Sequence, residues 1–315
     1  MYTLRIIFMG TPRFARPSLQ ILIDRSESII AVVTQPDRPA GRGQHVLPPP
    51  VKELALMHHL PVLQPVKVRD AQFIAQIKEF SPDLIVVVAF GQILPRALLD
   101  IPAYGCVNVH ASLLPFYRGA APINWVLING ETETGVTIML LDEGMDTGDM
   151  LLQEKLPIVP DDTVATLHDR LAQSGARLLG NALDELQNTG WKRVPQDHAK
   201  ATYAPLLKKE DGLIQWRNSA REIHNQIRGM NPWPGCFTYF NGKLLKIFAA
   251  EVREHETQGA PGSVAKISEM GIAVATGSGA LILKEIQLEG KKRIPAEEFI
   301  KGKTIKPGDV LSSEK

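Results

Sequence analysis

The stretch LRIIFMGTPRFARPSLQILIDRSESIIAVVT (residues 4–34) decides the fold class. Leu4–Gly10 is a near-continuous apolar run that closes on a glycine, the pattern of a buried strand and its turn. Residues 12–24 carry Phe14, Leu19, Ile21, Leu22 and Ile23, the apolar positions of a helix. Residues 28–34 are apolar again. Strands that are apolar throughout, rather than at alternate positions, belong to a parallel sheet covered on both faces. Further runs of this kind are DLIVVVA (83–89), GCVNVHA (105–111) and GVTIMLL (135–141), with helical stretches near 50–59, 69–80 and 120–129. The expected architecture is α/β: a Rossmann-like, mostly parallel sheet with helices on both faces over residues 1–189, closed by a helix at 163–189.

Residues 190–207 show little periodicity and read as a linker. After a helix at 219–229 the pattern changes. CFTYF (236–240), KLLKIFAAEV (243–252), GSVAKIS (262–268), GIAVAT (271–276) and GALILKEIQLE (279–289) are short strands separated by glycine-bearing turns. They predict a small β-barrel over residues 208–315.

The 315 residues are 44% hydrophobic and 22% charged, with a net charge of +1. A chain of this length buries about three quarters of its unfolded surface and needs no covalent staples. The charge is uneven: residues 1–207 carry a net −3 and residues 208–315 a net +4. A mildly basic C-terminal third hints at a polyanionic partner, and reads equally well as a solvated surface. Two cysteines, Cys106 and Cys236, make neither a disulfide framework nor a zinc site and are expected to fill the core. With no signal, transit or long apolar segment, the expected location is the cytoplasm.

Gly10-Thr11-Pro12 stands where a dinucleotide enzyme would carry GxGxxG, so a nicotinamide enzyme loses its best support. The most unusual pair is Asn108 and His110. At i and i+2 of a strand they share one face. Read plainly they are a satisfied polar pair in the core. Two features favour chemistry instead. They lie at the carboxyl end of a strand, where open α/β sheets bind ligands. An acidic loop, DEGMDTGDM (142–150), follows the next strand and is expected at the same edge. A carboxylate beside an imidazole orients the ring and favours its charged form. An amide N–H can donate to a developing oxyanion. Such a set suits attack on a carbonyl carbon, and without a GxSxG elbow the nucleophile comes from the substrate. The segment TQPDRPAGRGQHVLPPPVK (34–52) holds five prolines with Arg38 and Arg42. It is either an idle surface loop or a functional one, its arginines suited to phosphate.

Asn108-Val109-His110-x-Ser112-Leu113-Leu114-Pro115, then Arg118-Gly119-Ala120-Ala121-Pro122, then Asp146 thirty-six residues after His110, resemble the folate-dependent formyltransferase superfamily. Residues 34–43, 86–95 and 231–247 make the whole chain similar to the members that act on methionyl-tRNA. The resemblance implies an OB-like C-terminal barrel that binds tRNA, 10-formyltetrahydrofolate as donor, initiator methionyl-tRNA as acceptor, no metal and a monomer. It implies Asn108, His110 and Asp146 as catalytic residues, with Asn108 and His110 both donating to the oxyanion. It implies a folate site at Phe90, Gly91, Ile93, Leu94, Ser112, Leu113, Leu114, Pro115, Asp142 and Gly144. Arg42, then Arg38, are the expected tRNA contacts. Arg13, Gln44-His45 and Phe116 depart from the family pattern, the last two by removing positive charge near the expected tRNA path. Two other classes stay open: a folate enzyme acting on an amino sugar or hydrolysing the formyl group, and a nucleic-acid-binding module without catalysis.

Overall fold

The computed structural model of the protein describes residues 3–40, 45–254, 259–302 and 304–314. The chain divides into two compact units that interleave along the sequence. One comprises Met1–Gly119, Glu133–Pro157 and His168–Tyr203; the other comprises Ala120–Thr132, Ile158–Leu167 and Ala204–Lys315. Residues 190–203, read as linker, therefore lie in the first unit.

The first unit carries β1 (Arg5–Gly10), β2 (Ser28–Val33), β3 (Arg38–Ala40), β4 (His45–Leu47), β5 (Val62–Leu63), β6 (Leu84–Val88), β7 (Cys106–His110), β8 (Glu133–Leu140) and β9 (Met150–Pro157). Its seven-stranded sheet runs β5-β2-β1-β6-β7-β8-β9, while β3 and β4 form a separate hairpin. The strands from β5 to β7 are parallel; β8 is antiparallel to both β7 and β9. The sheet is thus mostly parallel, as the apolar runs predict. Ile6, Ile7, Phe8 and Met9 of β1 are all fully buried, which requires cover on both faces.

The helices beside it are α1 (Arg16–Asp24), α2 (Pro50–Met57), α3 (Ala71–Glu79) and α4 (Arg96–Leu99). Ile7, Met9, Val33, Ile85 and Val87 pack with Phe73 and Ile77 of α3 and Leu98 of α4. The helix expected from residue 12 starts later, at Arg16, after a 3-10 turn over Arg13–Ala15. Pro17 lacks the N–H that would bond the Arg13 carbonyl, so the first turn cannot be α-helical.

Then follow α5 (Pro122–Ile128) and the long α6 (Val164–Asn188). The sequence reads α5 as a cover for the sheet. It packs instead on α7 (Ala220–Met230) within the second unit, where a Cβ on Gly229 would meet Ile128 at 2.7 Å.

The second unit's sheet comprises β10 (Cys236–Phe240), β11 (Lys243–Arg253), β12 (Val264–Ser268), β13 (Gly271–Ala275) and β14 (Ala280–Leu288), ordered β10-β11-β14-β13-β12. β15 (Ile294–Pro295) pairs with β14 and leads into α8 (Ala296–Lys301). All pairs are antiparallel. The C-terminal segment bridges both free edges: Ser312 pairs with Tyr239 of β10, and Val310 with Ser263 beside β12. It closes the sheet on itself, a stave that the sequence pattern did not reveal. Trp216, Ile227, Phe240, Leu245, Ile272 and Leu283 fill the core. Cys106 and Cys236 are free and buried; burial pushes the Cys106 thiol up to about 12 and raises Cys236 as well. Among the described residues no helix is long and apolar enough to cross a membrane.

α7 starts on a capping box. Ser219 Oγ accepts the Glu222 N–H, and the Glu222 carboxylate accepts the Ser219 N–H at 2.8 Å. The Ser219 hydroxyl, which also donates to this carboxylate at 2.7 Å, and then the Ser219 N–H hold the Glu222 carboxyl below its usual range. Ser219→Ala is expected to lower unfolding stability by about 1 kcal/mol in urea titration, with catalysis unaffected.

Candidate active site

β7 lies between β6 and β8, with Asn108 opposite Val87 and Met139, and His110 opposite Thr137. Alternation along the strand puts Asn108 and His110 on one face and Val107 and Val109 on the other. α6 presses on the Val109 face; a Cβ on its Gly175 would lie 2.7 Å from the Val109 side chain. The helix backs the strand, and the amide and imidazole face away from it.

Their face is polar because it builds the turn after β7. Thr137 Oγ1 donates to the Ser112 carbonyl (2.7 Å) and accepts the Leu114 N–H (3.1 Å). Gln153 of β9 donates to the Leu114 carbonyl and to Thr137 Oγ1 at 2.8 and 2.9 Å. Ser112 Oγ donates to the Phe116 carbonyl at 2.6 Å. Buried polar groups paired this fully fix a single geometry. Gly135 makes room beneath the turn: a Cβ there would strike the Glu154 carbonyl and come within 2.5 Å of Leu113. Gly135→Ala is expected to cost about 1–3 kcal/mol by overpacking, and to lower turnover as the turn shifts. Thermal melts and initial rates on one preparation check both.

His110 is 5% exposed. Its Nε2 is 3.0 Å from the Tyr117 carbonyl, which only accepts, so Nε2 carries a proton. Nδ1 faces Asp146 Oδ1 at 3.6 Å. The other carboxylate oxygen accepts the Gly119 N–H at 2.8 Å. Asn108 is half-buried, and its carboxamide has no hydrogen-bond partner among the described residues. A half-buried carboxamide with no protein partner can donate to a group that binds beside it. The ring thus turns Nε2 to Tyr117 and Nδ1 to Asp146, whereas the Asn108 carboxamide meets no acceptor among the described residues.

Asp146 reaches His110 by an unexpected route. Because β8 is antiparallel, Leu140 sits opposite Val107, and the Leu141 N–H bonds to the Cys106 carbonyl. The chain leaves β8 at the far end of β7 from His110. The loop 141–149 then doubles back, with Gly148 against the Leu140 carbonyl, where a Cβ would collide. Asp146 holds φ +54°, a left-handed conformation that Asp tolerates better than most residues.

The residues expected around a folate divide by exposure. Ser112, Leu114, Phe90 and Leu94 are buried and shape the walls. The Phe90 carbonyl accepts from Thr11 Oγ1 (3.2 Å) and the Gln35 amide (3.3 Å). Leu113 and Pro115 are half-buried; Gly91, with φ +86°, is open to solvent. Ile93 is 78% exposed, an apolar side chain without cover. Asp142 and Gly144 are exposed, and Asp142 accepts from the Gly144 N–H and the Thr147 hydroxyl, shaping its own loop.

Arg42 lies outside the described residues. Arg38, on β3, is exposed, with one nitrogen 3.4 Å from Gln35 Oε1. The root of this hairpin is tied down by groups that the sequence reading missed. Lys52 donates to both Asp37 oxygens (2.9 and 2.7 Å) and to Gln64 Oε1 (2.7 Å). Gln64 donates to the Gln35 carbonyl and Asp37. Lys52, then Gln64, hold the Asp37 carboxyl below its usual range. Among the described residues no cluster of His, Cys, Asp or Glu could hold a metal ion.

The sequence matches the formyl transferase family over residues 4–183 and the formyl transferase C-terminal domain over residues 206–304. A protein of Citrifermentans bemidjiense named methionyl-tRNA formyltransferase is 56% identical, covering 100% of this chain and 98% of its own length. One of the same name from Desulforamulus reducens is 52% identical, covering 99% and 98%. Among solved structures, the sugar 3N-formyl transferase WlaRD superposes with a TM-score of 0.68 at 21% identity, over 93% of this chain and 100% of that one. HypX from Aquifex aeolicus gives 0.65 at 17% identity, over 97% and 49%.

Proposed function

This chain belongs to the formyl transferase family, and we infer from that membership the reaction it carries out. It transfers the formyl group of 10-formyltetrahydrofolate to the α-amino group of methionyl-tRNA. The observation that carries this is the full-length likeness to relatives bearing that activity in their name. The acceptor is the initiator form, and the enzyme works as a cytoplasmic monomer, where that tRNA is charged.

The α-amine adds to the formyl carbon on N10, the carbonyl oxygen takes negative charge, the C–N10 bond breaks and N10 gains the proton that the amine loses. An α-amine titrates near pH 8, roughly, so a useful fraction is neutral at pH 7. What remains for the protein is position, charge stabilisation and one proton. Asn108 donates to the oxyanion; its uncommitted carboxamide supports this role. His110 and Asp146 carry the proton between amine and N10; the Nδ1 of His110, turned to Asp146, supports that division of labour. The exposed side chain of Ile93 and the open backbone at Gly91 suit a flat ring system, with Phe90, Leu94, Ser112, Leu113, Leu114 and Pro115 shaping its walls and Asp142 and Gly144 its loop.

Arg42 and Arg38 grip the acceptor stem, and the basic C-terminal stretch, residues 208–315, follows the tRNA backbone. Each arginine replaced by alanine is expected to lower kcat/KM for the tRNA and to reduce the slope of log affinity against log salt by about 1. Filter binding across a salt series checks this.

The reaction itself is tested by offering 10-formyltetrahydrofolate with methionyl-tRNA, free methionine or an amino sugar as acceptor. Transfer confined to the tRNA is the expected result. Transfer to the sugar, or release of formate, would replace this reading with another folate enzyme built on the same site.

A further inference from the structure

Arg118 is the largest fully buried side chain, 2% exposed, and among the described residues no carboxylate lies within ion-pair distance of it. A buried cation without a counter-ion is costly and needs a reason. Its Nε and one terminal nitrogen both donate to Gln196 Oε1, at 3.0 and 2.6 Å, and that nitrogen also donates to His198 Nδ1 at 3.1 Å. Gln196 is itself buried, and its amide donates to the carbonyls of Asp146 (2.9 Å) and Gly148 (2.7 Å).

The polarity runs one way. The guanidinium draws charge toward the amide oxygen, which strengthens the amide as a donor to the loop carbonyls. The loop closes the circuit, since Asp146 Oδ2 accepts the N–H of Gly119, the residue after Arg118. The preceding residue, Tyr117, accepts from His110. Three consecutive residues thus hold the imidazole from one side and the carboxylate from the other. Asp146 sits at φ +54°, a conformation that persists only where its surroundings impose it.

We propose that Arg118 and Gln196 are positioning residues that hold Asp146 at its working distance from His110 during formyl transfer. This rests on the reading of His110 and Asp146 as the proton-carrying pair. Neither residue touches substrate; both act through the Asp146 backbone.

The test is Gln196→Glu, which keeps volume and gives Arg118 a carboxylate partner but turns two donors into acceptors facing the carbonyls of Asp146 and Gly148. The full-length variant is expected to melt near the wild-type temperature and to lose about 10²-fold in kcat, with KM for folate and tRNA little changed. In an Asp146→Asn background the same substitution is expected to have almost no further effect on kcat. Arg118→Lys, which keeps charge but loses the fork, should give a smaller loss with the same split. His198→Ala, at the exposed end of the chain of bonds, should lower kcat alone and is the variant least able to disturb folding.

Full turnover in the folded Gln196→Glu and His198→Ala variants, with Asp146→Asn inactive, overturns the positioning proposal alone. Full turnover in Asp146→Asn overturns the reading beneath it. Equal losses from Gln196→Glu in wild-type and Asp146→Asn backgrounds would show a general structural effect and also overturn the proposal.

Discussion

Replacing Asn108 by alanine is expected to lower kcat by about 10²- to 10³-fold, the usual effect of removing one oxyanion donor. KM for both substrates should change little, because the interaction strengthens only as charge develops on the formyl oxygen. The structure makes this a clean substitution. The Asn108 carboxamide has no protein partner among the described residues, so its removal strands no buried group, and the half-buried position leaves no sealed cavity. Stability should stay close to wild type. Asn108→Asp should be worse than alanine, since it sets a negative charge against the oxyanion. Single-turnover rates with saturating folate and tRNA, beside melts of each variant, decide the matter. An alanine variant within threefold of wild type, or one whose loss lies wholly in KM, would move the oxyanion site elsewhere.

The second large effect falls on His110 and Asp146, the pair proposed to carry the proton. His110→Ala and Asp146→Asn are each expected to lower kcat by about 10²- to 10⁴-fold, the range for positioned acid–base groups. Asp146→Asn is the more informative. Asparagine accepts the left-handed backbone at this position, and its amide oxygen can still accept the Gly119 N–H. What it removes is the charge beside Nδ1. His110→Ala removes more, since it also takes away the hydrogen bond from Nε2 to the Tyr117 carbonyl, so its melting temperature should fall and the rate must be read beside it. Groups that act as one unit are not additive, and the double variant should be little slower than the slower single one. Fully additive losses would mean that the two residues act in separate steps.

Much of this was legible in the sequence because it is periodic. The strands at 4–10, 28–34, 83–89 and 105–111 are apolar on both faces, which only a covered sheet explains, and the structure carries strands at each. Asn108 and His110 announced themselves by breaking that pattern twice on one face. Asp146 was found for an inexact reason. The acidic loop was expected to leave a parallel strand at the same edge, but β8 is antiparallel, and the carboxylate returns through a doubled-back loop instead. Strand direction is set by the neighbours a strand finds, and nothing local encodes it.

β9 escaped notice because MLLQEKLP has no β-branched residue and carries Glu and Lys. Residues 190–203 looked like linker because their role depends on single polar contacts: Gln196 with Asp146, and Thr202 with Tyr117 and Arg118. A long-range hydrogen bond leaves no repeat to read. α5 shows the same limit at the scale of an element, since its helical pattern was plain and its partner was not.

The interleaving of the two units also fixes an order of events on the ribosome. The last strand of the seven-stranded sheet has been made by Pro157, but Gln196 follows Arg118 by 78 residues. Until it emerges, a nascent chain holds the sheet without the clasp on the Asp146 loop. The segment around α5 waits longer still, for its apolar neighbours come from α7 and the strands beyond. Synthesis therefore passes through a stage in which the strand bearing Asn108 and His110 exists before the geometry around it does, and in which Ala121, Trp125 and Ile128 lack the apolar neighbours of the finished fold. A chain cut short at residue 203 would remain in that stage, its apolar surface open to aggregation.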